Sequence, residues 1–517
     1  MGLPVLTRDM DVRKRPVLNS TLRIMAAMDL TADQCYRAAK ARDARFDGRF
    51  FIAVKTTGVY CRPVCPARTP LRKNVDFYSC ASAAEAAGFR PCLRCRPETS
   101  PGTPAWLGSS TTVSRALRLI HEGALDDGTV ETLGDRLGVG SRHLTRLFDE
   151  HLGISPVAVA QTRRVHFARR LLDESTMPIT QIAFASGFAS VRRFNTVFQA
   201  TYGRAPSALR RKRNAVQRGD GFRLRLTYRP PYEWRAIVGF LSARAIPGVE
   251  YADEFRYRRT IVMNDVSAVI EVRDVDGVNA VDVSGPASIA EHGLVLVERV
   301  RRLFDLGADP TAIAAQLSGD VIIGGSVIDA PGLRVPGAWD GFEVGVRAIL
   351  GQQVSVVAAT TISGRLASKY GTRIETDDTF GLTHIFPTPE RLSRARLTSI
   401  GLTKKRAAAV SAFARAVCAN PRIVRGNGGL QASIDTLTAI PGIGPWTAHY
   451  IAMRALGEPD AFPSGDLVLQ RAASRNGAAL SERALEAISE QWRPWRAYAA
   501  MHLWRTYMNT AQRASGG

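Results

Sequence analysis

Four of the seven cysteines in this 517-residue sequence fall as Cys61-x3-Cys65-x26-Cys92-x2-Cys95. Two close pairs separated by a loop of that size have zinc spacing, because each pair can supply two thiolates to one tetrahedral ion. A disulfide framework is the poorer reading in a reducing cytosol. An inert clip and a centre whose thiolate reacts both fit the spacing. Cys35, Cys80 and Cys418 lack partner spacing and read as small packed hydrophobes. A second candidate lies in "LTAIPGIGPWTAHYIAMRALGEPDAFPSGD", from Leu437 to Asp466. It has the form of a helix-hairpin-helix followed by a Gly/Pro-rich loop and one aspartate. Gly442 and Gly444 permit a tight turn whose backbone N–H groups suit a phosphate at a helix start, with Thr447 one turn on. Taken alone, Asp466 reads first as a helix N-cap or a loop turn.

The net charge is +22, and +16 of it sits in the first 220 residues. Such a field concentrates polyanions, of which nucleic acid is the abundant cytosolic one, although a basic solvated surface gives the same total. The composition, 45% hydrophobic and 22% charged, is that of folded soluble material. No run of 18 apolar residues could span a bilayer. The first 28 residues lack the apolar segment of a secretory signal, so a cytoplasmic location is expected.

These residues need elements to position them, and the length predicts three or four domains. "RPETSPGTPAW" (Arg96 to Trp106) and "RRKRNAVQRGDG" (Arg210 to Gly221) read as linkers, and "DAPGLRVPG" (Asp329 to Gly337) as a separator of lobes. Between the linkers "LTRLFDEHLGISP" (Leu144 to Pro156) repeats as "FNTVFQATYGRAP" (Phe194 to Pro206), 50 residues later. Each copy follows a short apolar-periodic helix and a glycine turn, giving helix-turn-helix twice. "FRLRLTY", "YRRTIVM" and "SAVIEVR" then alternate as strands, and helical periodicity dominates from about Ile289. The chain is expected to be multidomain, mainly α with α+β parts. Its expected divisions are an arm (1–28), a zinc-bound α/β domain (29–97), an all-α double helix-turn-helix (108–214), an α+β lobe (221–288) and a helical lobe (289–517).

Residues 35–95, from "CYRAAKARDARFDGRFFIAVKTTGVYCRPVCPARTP" to "NVDFYSCASAAEAAGFRPCLRC", resemble the N-terminal zinc domain of the Ada adaptive-response family. The resemblance implies one zinc ion held by Cys61, Cys65, Cys92 and Cys95. It also implies that Cys61 accepts a methyl group from a methylated DNA phosphate and is consumed. A four-thiolate zinc centre carries a formal 2− charge that repels DNA, and methylation removes one negative charge, an electrostatic switch.

The repeat resembles the AraC/XylS-type DNA-binding domain. Its recognition helices would be "SRHLTRLF" (Ser141 to Phe148) and "SVRRFNTVF" (Ser190 to Phe198). Leu144, Leu147 and Phe148 share one helix face, leaving Ser141, Arg142 and Thr145 for the groove. Arg192, Arg193 and Asn195 match them in the second unit, reading base edges or contacting only phosphate.

Residues 222–507 resemble AlkA-type 3-methyladenine glycosylases of the helix-hairpin-helix superfamily. "YRPPYEWRAIVGFLSARA", "FEVGVRAILGQQVS" and "WRPWRAYAAMHLWR" carry the likeness besides the hairpin. By that resemblance Asp466 is the catalytic carboxylate, stabilising charge on the sugar or steering a water. Phe240, Trp446, Tyr450 and Trp504 would line the pocket for a flipped, electron-deficient base. Trp446 stands where lyase members carry a Schiff-base lysine, which implies a monofunctional enzyme. Gln353, polar where an aliphatic wedge is common, would fill the gap left by the flipped base. A monovalent cation is implied at the hairpin. The Pro-Cys-His-Arg site of the Ada family's second methyltransferase is absent from the sequence.

The whole reads as an alkylation-response fusion joining methyl transfer, transcriptional activation and base excision. The alternative is a regulator whose glycosylase-like lobe only binds DNA. Its expected partners are damaged and promoter double-stranded DNA and RNA polymerase, with no membrane. The expected state is a monomer associated with the nucleoid.

Overall fold

The structure, a computed structural model, describes residues 30–101, 111–121, 123–126, 128–175, 177–210, 221–376, 378–425, 429–474 and 478–515. The expected arm at 1–28, the second part of the first linker (102–106) and nearly all of the second linker lie outside the described residues.

The first domain is a four-stranded sheet, β1 (Phe51–Val54), β2 (Val59–Cys61), β3 (Val75–Tyr78) and β4 (Arg90–Pro91), in the order β3-β1-β2-β4. Alternation along β1 serves two cores. Ile52 and Val54 pack with Phe50 and Phe77 under α1 (Ala32–Ala41), while Phe51 and Ala53 face the next domain. A capping box starts α1, with Thr31 and Gln34 exchanging side-chain to backbone hydrogen bonds. The 26 residues between the cysteine pairs are used by β3 and α2 (Ala81–Ala86), after which β4 returns parallel to β2. The register pairs Tyr60 with Pro91, so Cys61 and Cys92 emerge from neighbouring strand ends.

The all-α domain contains α3 (Thr111–His121), then α4 (Val130–Leu137) and α5 (Ser141–Leu152), the 19-residue α6 (Pro156–Glu174), and a second pair, α7 (Ile179–Ala185) and α8 (Val191–Tyr202). The 50-residue repeat has a physical basis. Phe148 and Phe198 are fully buried. Gly153 and Gly203 close their helices at φ near +70°, and Pro156 and Pro206 open the helices that follow.

A five-stranded antiparallel sheet comes next: β5 (Gly221–Thr227), β6 (Glu250–Ala252), β7 (Arg256–Met263), β8 (Val266–Asp274) and β9 (Ala280–Pro286), ordered β5-β9-β8-β7-β6. Two of these strands, β6 and β9, are not among the three expected. Leu224 and Leu226 of β5 share one core with Phe167, Leu171 and Phe198 of the preceding domain. The same core takes in α9 (Trp234–Ser242), α10 (Gly293–Leu303) and Trp339. The α+β lobe therefore continues well past residue 288. Nor is 329–337 a loose separator: a Cβ at Gly332 would lie 2.6 Å from the Tyr232 nitrogen, and Arg334 is buried.

The helical lobe is built around α11 (Gly341–Leu350), of which Arg347 alone is not buried. Phe342 stacks on Phe413 of α12 (Lys404–Ala419). The hairpin follows, formed by α13 (Leu430–Thr438) and α14 (Pro445–Arg454). A short α15 (Leu467–Ala472) and the terminal α16 (Arg496–Ser515) complete it. No helix of the described residues is long and apolar enough to cross a membrane.

Candidate metal centre and candidate active site

The four cysteine sulfurs lie within 4.8 Å of one another. Tetrahedral zinc with Zn–S bonds of about 2.3 Å places its sulfurs about 3.8 Å apart, so the quartet fits the ion. The cluster is of the kind that holds structural zinc. Brought this close, the thiols do not ionise alike. Hydrogen bonds from Cys61 and then Cys65 hold Cys92 far below the usual thiol range, while those with Cys65, Cys92 and Cys95 push Cys61 far above it. The Arg62 backbone N–H donates to Cys95 Sγ at 3.4 Å. Cys61 and Cys95 are buried, and the loop between Cys92 and Cys95 carries the exposed Leu93.

The residues flanking these ligands reach into other domains. The Tyr60 hydroxyl, fully buried, donates to Glu85 Oε1 at 2.8 Å and lies 3.1 Å from His166 Nε2 on α6. Glu85 also accepts from Thr162 at 2.7 Å and pairs with His166 at 2.9 Å. Burial opposes a charge on His166, but the Glu85 carboxylate outweighs it and raises the pKa. After Cys95, the Arg96 guanidinium contacts Asp173 of α6 at 2.7 Å. Arg62 pairs with Asp47 and donates to Thr99 Oγ1 at 2.7 Å. Sequence reasoning missed these contacts, because the partners lie far apart in the chain.

On the expected recognition helices, Leu144 and Phe148 are buried and Leu147 is partly so, while Arg142 and Thr145 are exposed and Ser141 is half-buried. The Thr145 hydroxyl donates to the Ser141 carbonyl at 2.9 Å. Arg192, Arg193 and Asn195 are exposed on α8, with Arg193 donating to Gln161 of α6 at 3.2 Å.

In the helical lobe Asp466 is the N-cap of α15, and its Oδ1 accepts from the Val468 and Leu469 backbone at 2.9 and 3.1 Å. The other oxygen accepts from the Trp446 indole N–H at 3.0 Å, and the Trp504 indole nitrogen lies 3.4 Å from Oδ1. The N-cap and the carboxylate of an aromatic pocket are thus one residue. Trp446 stacks on Tyr450 at 5.4 Å and 17°, with Trp504 tilted 6.4 Å from Tyr450. All three rings are half-buried.

Phe240 shares Arg454 with Tyr450, the guanidinium lying 5.6 Å from the Tyr450 ring centroid. It is buried in the lobe's core, with the Arg244 guanidinium 3.7 Å and that of Arg454 4.8 Å from its ring centroid. Both guanidiniums lie against the ring that the resemblance assigns to the base pocket. Arg454 also donates to the Tyr450 hydroxyl at 2.7 Å. Burial raises the Tyr450 pKa, but Arg454, Arg244 and Arg347 outweigh it and bring it below the usual phenol value.

At the hairpin, Gly442 has φ +90° and a Cβ there would meet Ala409 Cβ at 2.4 Å, whereas a Cβ at Gly444 would meet open space. Only Gly442 needs glycine for conformation. Thr447 departs from expectation: it is buried, and Gln352 donates to its hydroxyl and to the Gly442 carbonyl, both at 3.0 Å. It braces the turn instead of facing DNA. Gln353 is exposed at φ +56°, a left-handed conformation that non-glycine residues seldom hold.

Four family models match the chain. They are the metal-binding domain of Ada (34–98), a helix-turn-helix domain (133–212), the AlkA N-terminal domain (223–340) and the HhH-GPD superfamily of base excision DNA repair proteins (346–497). A Mycobacterium tuberculosis protein named "Probable bifunctional transcriptional activator/DNA repair enzyme AlkA" is 40% identical over 480 residues, 92% of this chain and 96% of that one. DNA-3-methyladenine glycosylase 2 of Escherichia coli is 35% identical over 285 residues, 54% of this chain and 96% of its own. The bifunctional transcriptional activator/DNA repair enzyme Ada of Escherichia coli is 41% identical over 153 residues, 30% of this chain and 42% of its own.

Proposed function

The chain belongs to the family of bifunctional activator and repair proteins in which Ada-type metal-binding and helix-turn-helix domains are fused to an AlkA-type glycosylase, and we propose from that premise how its residues divide the work. Cys61 is the methyl acceptor for methylphosphotriesters in DNA. Its sulfur attacks the methyl carbon, a C–S bond forms as the methyl C–O bond breaks, and the electron pair leaves on the phosphate oxygen. The thiolate becomes a thioether, an anionic phosphodiester is restored, and the cysteine is consumed. Zinc bound by the quartet keeps the sulfurs as thiolates at neutral pH. Loss of one negative charge weakens repulsion of DNA and favours promoter binding through Arg142, Arg192 and Asn195. The observation that carries this half is the gathering of four sulfurs within 4.8 Å.

In the glycosylase, Asp466 faces the sugar of an extruded nucleotide and stabilises the positive charge that builds as the N-glycosidic bond breaks. An alkylated purine such as 3-methyladenine already carries positive charge and leaves without a strong general acid. Trp446 provides no amine for a Schiff base, so the reaction is hydrolytic and monofunctional. The Asp466 carboxylate set among indoles carries this half. Tyr450 and the two tryptophans offer ring faces to the base, and Gln353 is aimed at the gap it leaves. Gly444, open to solvent at the start of α14, suits a DNA phosphate.

Double-stranded DNA is the partner of both the helix-turn-helix and the glycosylase domains. RNA polymerase contact, a monomeric state, a cation at the hairpin and a cytoplasmic, nucleoid-associated location complete the proposal. A +22 chain with thiols that must stay reduced suits that location. Incubation with methylated duplex DNA tests both reactions at once. Free 3-methyladenine should appear, and the peptide bearing Cys61 should gain one methyl by mass spectrometry. Methyl on Cys65 instead, or no base release, would refute the corresponding half.

A further inference from the structure

We propose that Trp446 is a positioning residue for Asp466, acting through its indole N–H as well as presenting a ring to the base. The proposal rests on Asp466 as the carboxylate that meets the sugar. One oxygen of that carboxylate is fixed by the α15 N-terminus, through Val468 and Leu469. A carboxyl group held by one oxygen can still turn its other oxygen. The 3.0 Å hydrogen bond from Trp446 Nε1 to Oδ2 holds that second oxygen, and two attachments define the plane of the group.

Trp446 is itself held. It occupies the first turn of α14, and residues four apart on a helix lie one above the other. Tyr450 sits one turn on, stacked beneath its ring, and Arg454 a further turn on, donating to the Tyr450 hydroxyl. Arg454 ends the series in backbone, donating to the Pro336 and Gly337 carbonyls of the packed 329–337 strap. Three side chains on one helix face thus tie the orientation of Asp466 to a rigid part of the lobe. Trp446 is the member that touches the carboxylate, and an electrostatic stabiliser acts well only when its orientation is fixed before the reaction.

The test is a double-mutant cycle in the full-length protein, read as single-turnover base release from duplex DNA carrying 3-methyladenine and 7-methylguanine. Trp446→Phe keeps an aromatic face and removes the N–H. Benzothienylalanine at position 446 keeps the bicyclic shape and removes the same donor. Both should slow release about 10- to 100-fold with less than about a threefold change in DNA affinity, the scale of one hydrogen bond to a charged group. In an Asp466→Asn background neither should slow residual release further. Equal fold-losses in the wild-type and Asp466→Asn backgrounds would overturn the proposal, since Trp446 would then act only by stacking. Full activity of the benzothienylalanine protein would overturn it as well. Wild-type activity of Asp466→Asn would instead refute the assignment of Asp466, a separate outcome.

Discussion

The Tyr60 hydroxyl donates to Glu85 Oε1 at 2.8 Å, one residue before Cys61, and so links the strand that carries Cys61 to α6 between the two helix-turn-helix units. Glu85 is the hub, serving Tyr60, Thr162 and His166 together. Glu85→Ala should cost about 2–4 kcal/mol, because Tyr60, Thr162 and His166 lose the carboxylate they share and Tyr60 and His166 are left only with each other. Urea denaturation of the whole protein would measure it.

The same hub makes stability pH-dependent. His166 has a folded pKa above its unfolded value of about 6.5, so its contribution is complete below 6.5 and lost as pH rises through the folded value. His121, held down to about 3 by burial with Arg163 and Arg301 nearby, works oppositely below 6.5. Above pH 6.5 the His121 contribution no longer changes, so the share of stability that His166 supplies should fall with rising pH. Thermal melts of wild type and His166→Gln between pH 6.5 and 8.5 should differ in slope, the variant being flatter.

Removing a ligand should separate the halves of the chain. Cys65→Ser should lower zinc content below one per chain and destabilise the first domain, as metal analysis and limited proteolysis would report. Cys61→Ala should abolish promoter activation by methylated DNA while leaving base release within about twofold of wild type.

Asp466→Asn should reduce base release by about 10²- to 10³-fold with binding to abasic DNA retained. Asparagine is as good an N-cap as aspartate, so the fold should be unaffected, whereas Asp466→Ala should also cost about 1 kcal/mol of stability. A melt beside the rate measurement distinguishes the two contributions.

The hairpin glycines should differ. Gly442→Ala combines a left-handed backbone with a 2.4 Å approach to Ala409 and should cost about 2–4 kcal/mol. Gly444→Ala meets nothing and should leave the melting temperature nearly unchanged while weakening DNA binding.

What could be seen in the sequence was what lies close together in it. The cysteine pairs and the repeat of Phe148 and Phe198 are patterns set by ligand count and helical period, whereas Asp466 reads locally as an N-cap and is marked as a site only by family resemblance. The strand Ala280–Pro286 escaped notice because a turn at Gly277 and a proline end leave little of its alternation. Tyr60, Glu85 and His166 meet across 25 and 81 residues, which no periodicity announces. Phe240 comes to the base pocket by family resemblance, and only three-dimensional packing places arginines against its ring. Thr447 was assigned to DNA by its distance from the hairpin, which carries no information about burial.

Phe167 of α6 presses against Gly293, where a Cβ would come within 2.8 Å of its ring, inside the core shared by the second DNA-binding unit and the glycosylase sheet. Engineers who cut the chain in the 211–220 segment to obtain a free-standing repair enzyme would uncover an oily face on both products. The practical unit is therefore the whole chain, and a split-protein pair made at that point should reassemble without a tether.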